Sequence, residues 1–222
     1  MGDENAVLNS ETIARLVNLG AATIYEAQGA YGAIDSAIKP LARGMKIAGP
    51  ALTLQMRPGD NLMIHYALLH AKAGQVLVIN CDGFIDAGIW GDVLTAQAQR
   101  IGLAGLVVNG AVRDSDAIIE ADFPVFARGI SIRGTEKKQP GVFNKSLLLS
   151  DCIIRPGDII VGDSDGLVVI EQKRLDEVIH LASLREEKER MYKEKIDNGS
   201  STAGLMHLQE VFTYLGLDND VK

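Results

Sequence analysis

The middle of the chain, residues 75–130, alternates short apolar runs with segments of helical periodicity. The apolar runs are QVLVIN (75–80), LAGLVVNG (103–110) and FPVFARG (123–129). The segments between them, IWGDVLTAQAQRIG and RDSDAIIEAD, have the spacing of amphipathic helices. Strand–helix–strand units of these lengths need right-handed crossovers, so the strands lie parallel in one sheet covered by helices. The pattern therefore predicts an α/β fold with a parallel βαβ core.

The regions that flank this core predict further strands and one more helix. KIAGPALTLQM alternates like strands that are broken at Gly49-Pro50. RPGDNLMIHYALLHAKAG follows as a turn and a helix, capped by Asp60 or Asn61 and ended by Gly74. PGVFNKSLLL and RPGDIIVGDSDGLVVI predict a β-hairpin region, the latter with its turn at GDSDG. GDSDG also resembles the start of a calcium loop, but the remaining EF-hand ligands are absent, which favours a tight turn.

Helical periodicity returns at both ends of the chain. ETIARLVNLG and TIYEAQG predict two short helices, the second with capping-box spacing at Thr23 and Glu26. EQKRLDEVIHLASLREEKERMYKEKIDNG predicts a long charged helix that ends at Gly199. A last amphipathic helix carries the apolar residues Leu205, Leu208, Val211, Phe212 and Leu215. We predict one domain over residues 1–222, with N-terminal helices in residues 1–30 and a C-terminal helical extension in residues 171–222.

Composition and charge exclude several classes of function. With 47% hydrophobic and 23% charged residues, the 222-residue chain is typical of soluble globular proteins. Its net charge of −7 argues against a nucleic-acid partner. No run approaches the roughly 18 apolar residues of a membrane helix, and the start, MGDENAVLNS, lacks a signal-peptide pattern. Since Cys81 and Cys152 lie in separate segments, we expect reduced thiols in a cytoplasmic protein without a membrane partner.

Several common catalytic motifs are absent from the sequence. No GxGxxG or GxxxxGK[ST] loop opens a helix, no GxSxG elbow occurs, and neither cysteine has an obvious histidine partner. His65 and His70 are five residues apart on one predicted helix, so they do not form an HExxH-type zinc pair. We expect these two histidines, together with His180 and His207, to be structural or solvated.

Charged residues gather instead where the predicted core strands end, which is where parallel sheets bind ligands. These residues are Asp82, Asp86, Asp92, Arg113 and Asp114. The turn Gly88–Gly91 leads into a helix whose first free amides, those of Asp92, Val93 and Leu94, predict an anion site. Arg113 offers a planar donor fork for a carboxylate, and both Asp92 and Asp114 offer hard oxygen ligands for Mg²⁺ or Mn²⁺. The alternative is that the two aspartates are N-caps and that Arg113 pairs with one of them.

The long-range spacing of four of these residues carries a family resemblance. Gly88, Asp92, Arg113 and Asp114 fit the pattern G-x3-D-x20-R-D. The pattern resembles the signature of the RraA-like proteins, which include the class II 4-hydroxy-4-methyl-2-oxoglutarate/4-carboxy-4-hydroxy-2-oxoadipate aldolases. Further segments are similar to family segments, and the likeness covers roughly residues 10–200. They are IKPLARGMKIAGPALTL, GDNLMIHYAL, GLAGLVVNGAVRD, FPVFARG and PGDIIVGDSDGLVVI.

The resemblance implies a swivelling β/β/α fold that assembles as a trimer, or as a hexamer of two trimers, with sites between subunits. It implies a divalent ion, Mg²⁺ or Mn²⁺, on Asp114 and a substrate held by Arg113. The helix start at residues 91–94 (Gly91, Asp92, Val93 and Leu94) would hold the pyruvyl carboxylate, and Asp92 would hold a water of the metal ion. A glutamate from the neighbouring subunit's C-terminal helix would join the outer shell of the metal. The candidates for this glutamate are Glu186, Glu187 and Glu189.

The activity that the resemblance implies is that of a metal-dependent carbon–carbon lyase releasing pyruvate from a 4-hydroxy-2-oxo acid. Arg113 and Asp92 are the expected catalytic residues, and oxaloacetate decarboxylation is the expected side activity. The alternatives are a non-catalytic RraA-like regulator of ribonuclease activity and a related enzyme acting on another 2-oxo or 2-hydroxy acid. The length of the C-terminal extension favours the aldolase, because the short RraA proteins lack most of it. A methyltransferase label carried by some members is disfavoured, because no Gly-rich loop of the kind that binds S-adenosylmethionine occurs here.

Overall fold

Four parallel strands form the centre of the fold in a computed structural model that describes residues 8–217. Helices connect them on the way from one strand to the next. The strands are β2 (Ile47–Gln55), β3 (Val76–Asn80), β4 (Gly105–Val112) and β5 (Val125–Ile130), and the helices are α3 (Leu62–His70), α4 (Asp92–Ile101) and α5 (Ser115–Glu120). The predicted parallel βαβ core is confirmed.

Antiparallel strands extend this sheet on both sides. The sheet runs in the order β1-β5-β4-β3-β2-β9-β10, with β6 also pairing to β2, and β7 and β8 form a separate two-stranded sheet. These strands are β1 (Lys39–Pro40), β6 (Val142–Phe143), β7 (Leu147–Leu149), β8 (Cys152–Ile154), β9 (Ile159–Gly162) and β10 (Leu167–Ile170). The predicted hairpin at GDSDG is the β9–β10 turn, closed by the Asp163 N–H donating to the Gly166 carbonyl at 3.0 Å. The tight-turn interpretation of GDSDG is therefore correct.

The parallel strands are buried on both faces. Leu77, Ile79 and Leu106 pack under the connecting helices, whereas Val78, Val107 and Phe126 pack on the opposite face against the antiparallel strands. Strands covered on both sides are expected to be continuously apolar rather than alternating. This is why the runs at 75–80 and 103–110 carry no period-two pattern.

Helices α1 (Ser10–Leu19) and α2 (Ala21–Ala27) precede the sheet, and α6 (Leu175–Asp197) follows a short 3₁₀ turn, Gln172–Arg174. Val178 and Ala182 of α6 are buried with the apolar faces of α1 and α2. The chain divides into two compact units between Ala182 and Ser183. The second unit contains the rest of α6 together with α7 (Thr202–Leu205) and α8 (Gln209–Tyr214). Residues 1–7 of the predicted N-terminal region and residues 218–222 of the predicted extension lie outside the described part.

None of the helices between residues 8 and 217 combines the length and the apolar character that crossing a bilayer requires.

The prediction that the strands break at Gly49-Pro50 is wrong, because β2 runs through both residues. It pairs antiparallel with β9 up to Pro50 and parallel with β3 from Ala51 onward. The missing proline amide thus falls where one hydrogen-bonded ladder gives way to the other. A central strand tolerates this proline because no ladder bond is lost there.

Three predicted helix boundaries are also wrong. The N-cap of α2 is Gly20 rather than Thr23, and the Ala21 N–H donates to Asp163 Oδ2 at 2.8 Å instead of using a capping box. Helix α3 ends at His70, four residues before Gly74. The last predicted helix is two short ones, α7 and α8, separated where His207 adopts a positive φ of 55°. Distant partners and a left-handed residue, neither visible in local spacing, decide these boundaries.

Asp35 ties the segment before β1 to the rest of the sheet. Its carboxylate accepts hydrogen bonds from the Ala37 amide, the Arg128 guanidinium and the Ser150 hydroxyl. The Ala37 amide first, and then Arg128 and Ser150, lower the pKa of Asp35 from 3.8 to about 2.

We expect Asp35→Asn to destabilise the protein by about 2 kcal/mol at pH 7, because a pKa that is depressed on folding stabilises the ionised folded state. The stabilisation is present above the unfolded pKa near 3.8 and is lost as the pH falls towards about 2. Urea unfolding of both proteins at pH 7 and pH 3 measures this difference. A destabilisation of equal size at both pH values would contradict the assignment.

Candidate active site

The predicted site residues come together at the carboxyl end of β4. Arg113 and Asp114 follow that strand directly, and Asp114 adopts a left-handed conformation with φ 56° before α5 begins. The loop after β3 runs beside them, because Gly88 forms a parallel bridge to Ala111 and the Arg113 amide donates to the Trp90 carbonyl at 2.8 Å. These two contacts place the start of α4 against the Arg-Asp pair.

Both glycines of the loop are required by close approach. A Cβ at Gly91 would lie 2.3 Å from Asp114 Oδ2, and a Cβ at Gly88 would lie 2.5 Å from the Ser131 carbonyl oxygen and 2.7 Å from Arg113 Cβ. A side chain at Gly88 would meet backbone, whereas a side chain at Gly91 would have to displace the Asp114 carboxylate. The glycine of the family pattern, Gly88, thus has a steric cause in this chain.

We expect Gly91→Ala to lower activity at least tenfold with little change in thermal stability. The added methyl group must push the Asp114 carboxylate away from the helix start, whereas the Gly91 backbone, at φ −155°, accepts any residue. Steady-state kinetics and a melting curve on the same preparation separate the two effects. Full activity in Gly91→Ala would show that the Asp114 position is not needed.

The amides at the start of α4 already attract carboxylate oxygens. Gly91 is the N-cap and supplies no side chain. The Asp92 N–H donates to Asp114 Oδ2 at 3.3 Å, and the Val93 N–H donates to Oδ1 of Asp92 at 2.7 Å. A helix start with unpaired N–H groups favours negative charge, and this one is occupied by two carboxylates of the chain itself.

Arg113 and Asp114 form an ion pair that leaves most of their polar atoms free. Arg113 Nε lies 3.2 Å from Asp114 Oδ2, and the two side chains are 47% and 35% exposed. Within residues 8–217, neither the terminal guanidinium nitrogens nor Asp114 Oδ1 has a hydrogen-bond partner. Asp114 occupies the N-cap position of α5 but makes no capping hydrogen bond. The alternative interpretation is therefore correct about the pairing and wrong about a capping role for the Asp114 side chain.

A cavity of about 280 Å³ opens beside this pair. Ligand pockets range from roughly 300 to 1,000 Å³, so this cavity suits a small metabolite. The predicted residues that line it are Gly88, Gly91, Asp92, Val93, Leu94 and Arg113. Asp114 lies on the other side of Arg113, in a groove of about 440 Å³ that also contains Ile130 and Ile132. Arg113 lines both spaces.

The structure adds four polar residues that the sequence analysis does not assign to the site. Asn61, His65, Thr135 and Lys137 line the same cavity. Asn61 Oδ1 and His65 Nε2 are buried and have no hydrogen-bond partner among the described residues. Of the two expected states of His65, structural or solvated, the buried Nε2 excludes solvation at that atom. The sequence pattern that could indicate these two residues is the four-residue spacing of Asn61 and His65, which places them on one side of a helix start.

Two of the charged residues at strand ends lie elsewhere. Asp82 Oδ1 accepts hydrogen bonds from Gln55 at 3.2 Å and from Asn80 at 3.3 Å, and its side chain borders a different cavity. Asp86 is exposed and lines none of the cavities described above. Both carboxylates follow β3, but the loop turns away before it returns at Gly88.

The resemblance implies one glutamate from the C-terminal helix, and its three candidates lie on the part of α6 in the second unit. Glu187 pairs with Arg190 at 2.6 Å, and Glu189 pairs with Arg185 at 3.0 Å. A role for Glu186, Glu187 or Glu189 at a neighbouring subunit's site stays a prediction.

The donor set around Asp114 fits a magnesium-type ion. Among the described residues no cluster of three or more His, Cys, Asp or Glu side chains could hold a metal. Mg²⁺ keeps several waters and takes only one or two carboxylates from a protein. The free Oδ1 atom of Asp114, with Asp92 adjoining, matches that requirement.

Comparison with known proteins places the chain in a family. The model of the RraA-like family, Aldolase/RraA, matches residues 21–169. A protein of Halalkalibacterium halodurans with the provisional name 4-hydroxy-4-methyl-2-oxoglutarate aldolase is 39% identical over 153 residues, 69% of this chain and 73% of that protein.

Solved structures show the same fold. An uncharacterized protein from Pseudomonas syringae pv. tomato superposes with a TM-score of 0.80 at 28% identity, covering 90% of this chain and 95% of that one. RraAS2 from Streptomyces coelicolor, described as an unusual member of the RNase ES inhibitor RraA protein family, superposes with a TM-score of 0.75 at 26% identity. That match covers 84% of this chain and 98% of RraAS2. Both the family match and the expected fold are thereby confirmed.

Proposed function

The chain belongs to the RraA-like family, and from this premise we propose that it is a divalent-metal-dependent class II aldolase. Its substrates are 4-hydroxy-2-oxo acids, namely 4-hydroxy-4-methyl-2-oxoglutarate or 4-carboxy-4-hydroxy-2-oxoadipate, which it cleaves to pyruvate and a second 2-oxo acid. The observation that carries the proposal is the open Arg113–Asp114 pair beside the start of α4, of which Arg113 lines a small cavity and Asp114 the adjoining groove. A fixed cation, a free carboxylate oxygen and helix amides are what a 2-oxo acid needs at its reacting end.

The pyruvyl carboxylate binds between Arg113 and the start of α4. The guanidinium offers its unpaired terminal nitrogens, and a charged fork binds a carboxylate through two parallel hydrogen bonds. The Val93 amide becomes available when the substrate carboxylate displaces the Asp92 side chain from it. Binding of the substrate thus releases the Asp92 carboxylate for a role in proton transfer.

Asp114 is the residue that would hold the divalent ion, with Asp92 as its neighbour. When bound, Mg²⁺ or Mn²⁺ supplies Lewis-acid stabilisation of the negative charge that develops on the 2-oxo oxygen. Asp114 Oδ2 is held by the Asp92 amide and by Arg113 Nε, so the carboxylate is oriented before any ligand arrives. Preorganised charge of this kind is the largest source of catalysis in many enzymes.

Cleavage begins with removal of the C4 hydroxyl proton. Asp92, released from the Val93 amide, accepts this proton directly or through a water. The O–H electron pair forms the carbonyl at C4, the C3–C4 bond pair forms the C2=C3 double bond, and the 2-oxo oxygen takes the negative charge of the resulting pyruvate enolate. Arg113 and the amides of α4 stabilise the enolate until C3 takes up a proton and pyruvate is formed.

The remaining part of the substrate lies against Asn61, His65 and Lys137. Asn61 Oδ1 and His65 Nε2 are buried without partners, which is costly unless a ligand satisfies them. The C4 hydroxyl and the adjoining carboxylate are suitable partners. Lys137 adds a positive charge at the same wall, where it attracts a distal carboxylate.

The same enolate forms when oxaloacetate loses CO₂, so the protein also decarboxylates oxaloacetate. The protein self-associates as a trimer or a hexamer, and Glu186, Glu187 or Glu189 reaches the site of a neighbouring subunit. The exposed Ile130 and Ile132 beside Asp114 support such a contact, because apolar side chains at the edge of a site favour burial.

A coupled assay for pyruvate tests the proposal. We expect release of pyruvate from a 4-hydroxy-2-oxo acid and from oxaloacetate in the presence of Mg²⁺ or Mn²⁺, and none after EDTA treatment until the metal is restored. The preferred substrate emerges from a panel that varies the group at C4. No pyruvate from either class of substrate by metal-loaded protein would refute the proposal.

The similarity to RraAS2 supports a second candidate function, that of a non-catalytic regulator of ribonuclease activity. A regulator acts through its surface, so its effect on a ribonuclease would persist in EDTA and in Asp114→Ala. An aldolase loses its activity under both conditions. The two functions are distinguished by comparing each activity with and without metal.

A further inference from the structure

The loop after β5, residues 131–139, forms the wall of the cavity that carries Thr135 and Lys137. Backbone hydrogen bonds connect this loop to the start of α3. The Glu136 N–H donates to the Gly59 carbonyl at 2.9 Å, and the Asn61 N–H donates to the Glu136 carbonyl at 3.0 Å. The loop therefore lies beside the helix that carries Asn61 and His65.

One buried carboxylate joins these two walls. Asp60 is 4% exposed. Its Oδ1 accepts from the Leu62 amide at 2.9 Å, and its Oδ2 accepts from the amides of Lys138 at 2.6 Å and Gln139 at 3.0 Å. A single side chain thus holds the first turn of α3 and the end of the loop at a fixed separation.

The bonds need an ionised carboxylate. Burial by itself raises the pKa of Asp60, but the amides of Leu62, Lys138 and Gln139 outweigh it and hold the pKa below its ordinary value. An asparagine keeps only one acceptor oxygen and turns an N–H₂ group towards the remaining amides. Asp60→Asn therefore removes the connection while it preserves side-chain volume.

We propose that Asp60 is a positioning residue that sets specificity for the distal carboxylate of the substrate, by holding Lys137 opposite Asn61 and His65. This inference rests on the proposed function, since it names what the far wall of the same site recognises. Asp60 has no bond to Arg113 or to the start of α4. The start of α3 is joined to the loop before α4 by Asn61 Nδ2, which donates to the Ile89 carbonyl at 3.1 Å. Because Asp60→Asn leaves this bond in place, we expect the pyruvyl end to be recognised independently of Asp60.

Binding of two matched 2-oxo acids tests the inference without relying on turnover. Pyruvate has only the reacting end, whereas 2-oxoglutarate adds a distal carboxylate. Trp90 lines the cavity and is the chain's single tryptophan, so its fluorescence reports both titrations in the presence of Mg²⁺. We expect Asp60→Asn to weaken 2-oxoglutarate at least tenfold and to change the pyruvate Kd less than twofold.

Two further variants separate positioning from general destabilisation. Lys137→Ala should weaken 2-oxoglutarate similarly, and Asp60→Asn should add less than twofold on that background, because it acts through Lys137. Glu136→Gln is the matched control, since this exposed carboxylate of the same loop forms, among residues 8–217, an ion pair with Lys138 alone, at 3.2 Å. It should bind both ligands as the wild type does.

If Asp60→Asn does not fold, Gln139→Pro removes one amide that donates to Asp60 and leaves Asp60 in place. We expect this variant to lose at least threefold in affinity for 2-oxoglutarate and none for pyruvate.

Equal weakening of both ligands, additive losses in the double variant, or no binding of 2-oxoglutarate by the wild type would overturn the inference. Binding as expected without any pyruvate release from 4-hydroxy-2-oxo acids would overturn the aldolase proposal and leave the role of Asp60 standing.

With the active wild type, the same residue should show a split between kinetic constants. Asp60→Asn should raise KM for 4-hydroxy-4-methyl-2-oxoglutarate at least tenfold with kcat within threefold. For 4-hydroxy-2-oxopentanoate, which lacks the distal carboxylate, kcat/KM should change less than threefold. A parallel fall for both substrates would show a structural role only.

Discussion

Arg113→Ala should lower kcat/KM for pyruvate release at least several hundredfold. The guanidinium lines the cavity beside the start of α4 and also contacts Asp114, through its Nε at 3.2 Å. Loss of one preorganised donor to a developing oxyanion raises the barrier by about 3–4 kcal/mol, which corresponds to two to three powers of ten in rate. Steady-state kinetics on a 4-hydroxy-2-oxo acid measures the effect.

Arg113→Lys should be nearly as inactive, because an ammonium group keeps the charge and loses the planar fork. Arg100→Ala, at the exposed C-terminal turn of α4, is the matched control and should retain full activity. If Arg113→Lys recovers most of the activity, the role of Arg113 is a general positive charge rather than bidentate recognition. If Arg113→Ala retains activity within tenfold, the site is wrongly assigned.

Asp114→Asn should abolish both metal binding and activity while the fold persists. The amide keeps an oxygen for the Asp92 N–H but removes the negative charge that a divalent cation requires. The lost Lewis-acid stabilisation is worth several kcal/mol, so a reduction of about a thousandfold or more is expected. Titration with Mn²⁺ and kinetics at saturating metal separate binding from turnover.

Asp116→Asn provides the comparison, because Asp116 is an exposed carboxylate two residues further along the chain. It should bind Mn²⁺ and turn over substrate as the wild type does. Activity of Asp114→Asn that is restored by raised metal concentration would indicate a second ligand set and would contradict the assignment of Asp114.

The sequence predicts the core of the fold correctly because strands that are buried on both faces are continuously apolar. Residues 75–80 and 103–110 are apolar throughout, and the segments between them are helical in period. The same regularity fixes where each strand ends, so Arg113 and Asp114 could be placed at the ligand-binding edge. Because β3 and β4 are adjacent parallel strands, the loop after β3, which contains Gly91, lies next to them.

The parts of the site that were missed depend on contacts between distant segments. Lys137 lines the cavity on a loop that is hydrogen-bonded to Asp60 and to the backbone of Gly59, over seventy residues earlier in the chain. The four-residue spacing of Asn61 and His65 shows that they share a helix face, but it does not show that Nε2 of His65 is buried. Long-range hydrogen bonds of this kind have no local sequence signature.

The helix boundaries failed for a related reason. The last predicted helix is interrupted at His207, which adopts a positive φ although it is neither glycine nor proline. The sequence therefore contains no helix-breaking residue at this position. Pro50, conversely, looks like a strand breaker and is accommodated where β2 changes partners. At Pro50 the pairing of β2 with two different strands overrides the preference of the residue.

The central claim is that Asp114 and Arg113 together form a divalent-ion and 2-oxo-acid site. Diffraction from crystals grown with Mn²⁺ and oxalate, which mimics the planar pyruvate enolate, tests it most directly. We expect an anomalous peak beside the Asp114 carboxylate, with oxalate in contact with Arg113 and the first amides of α4. Manganese bound elsewhere, or oxalate absent from the start of α4, would contradict it.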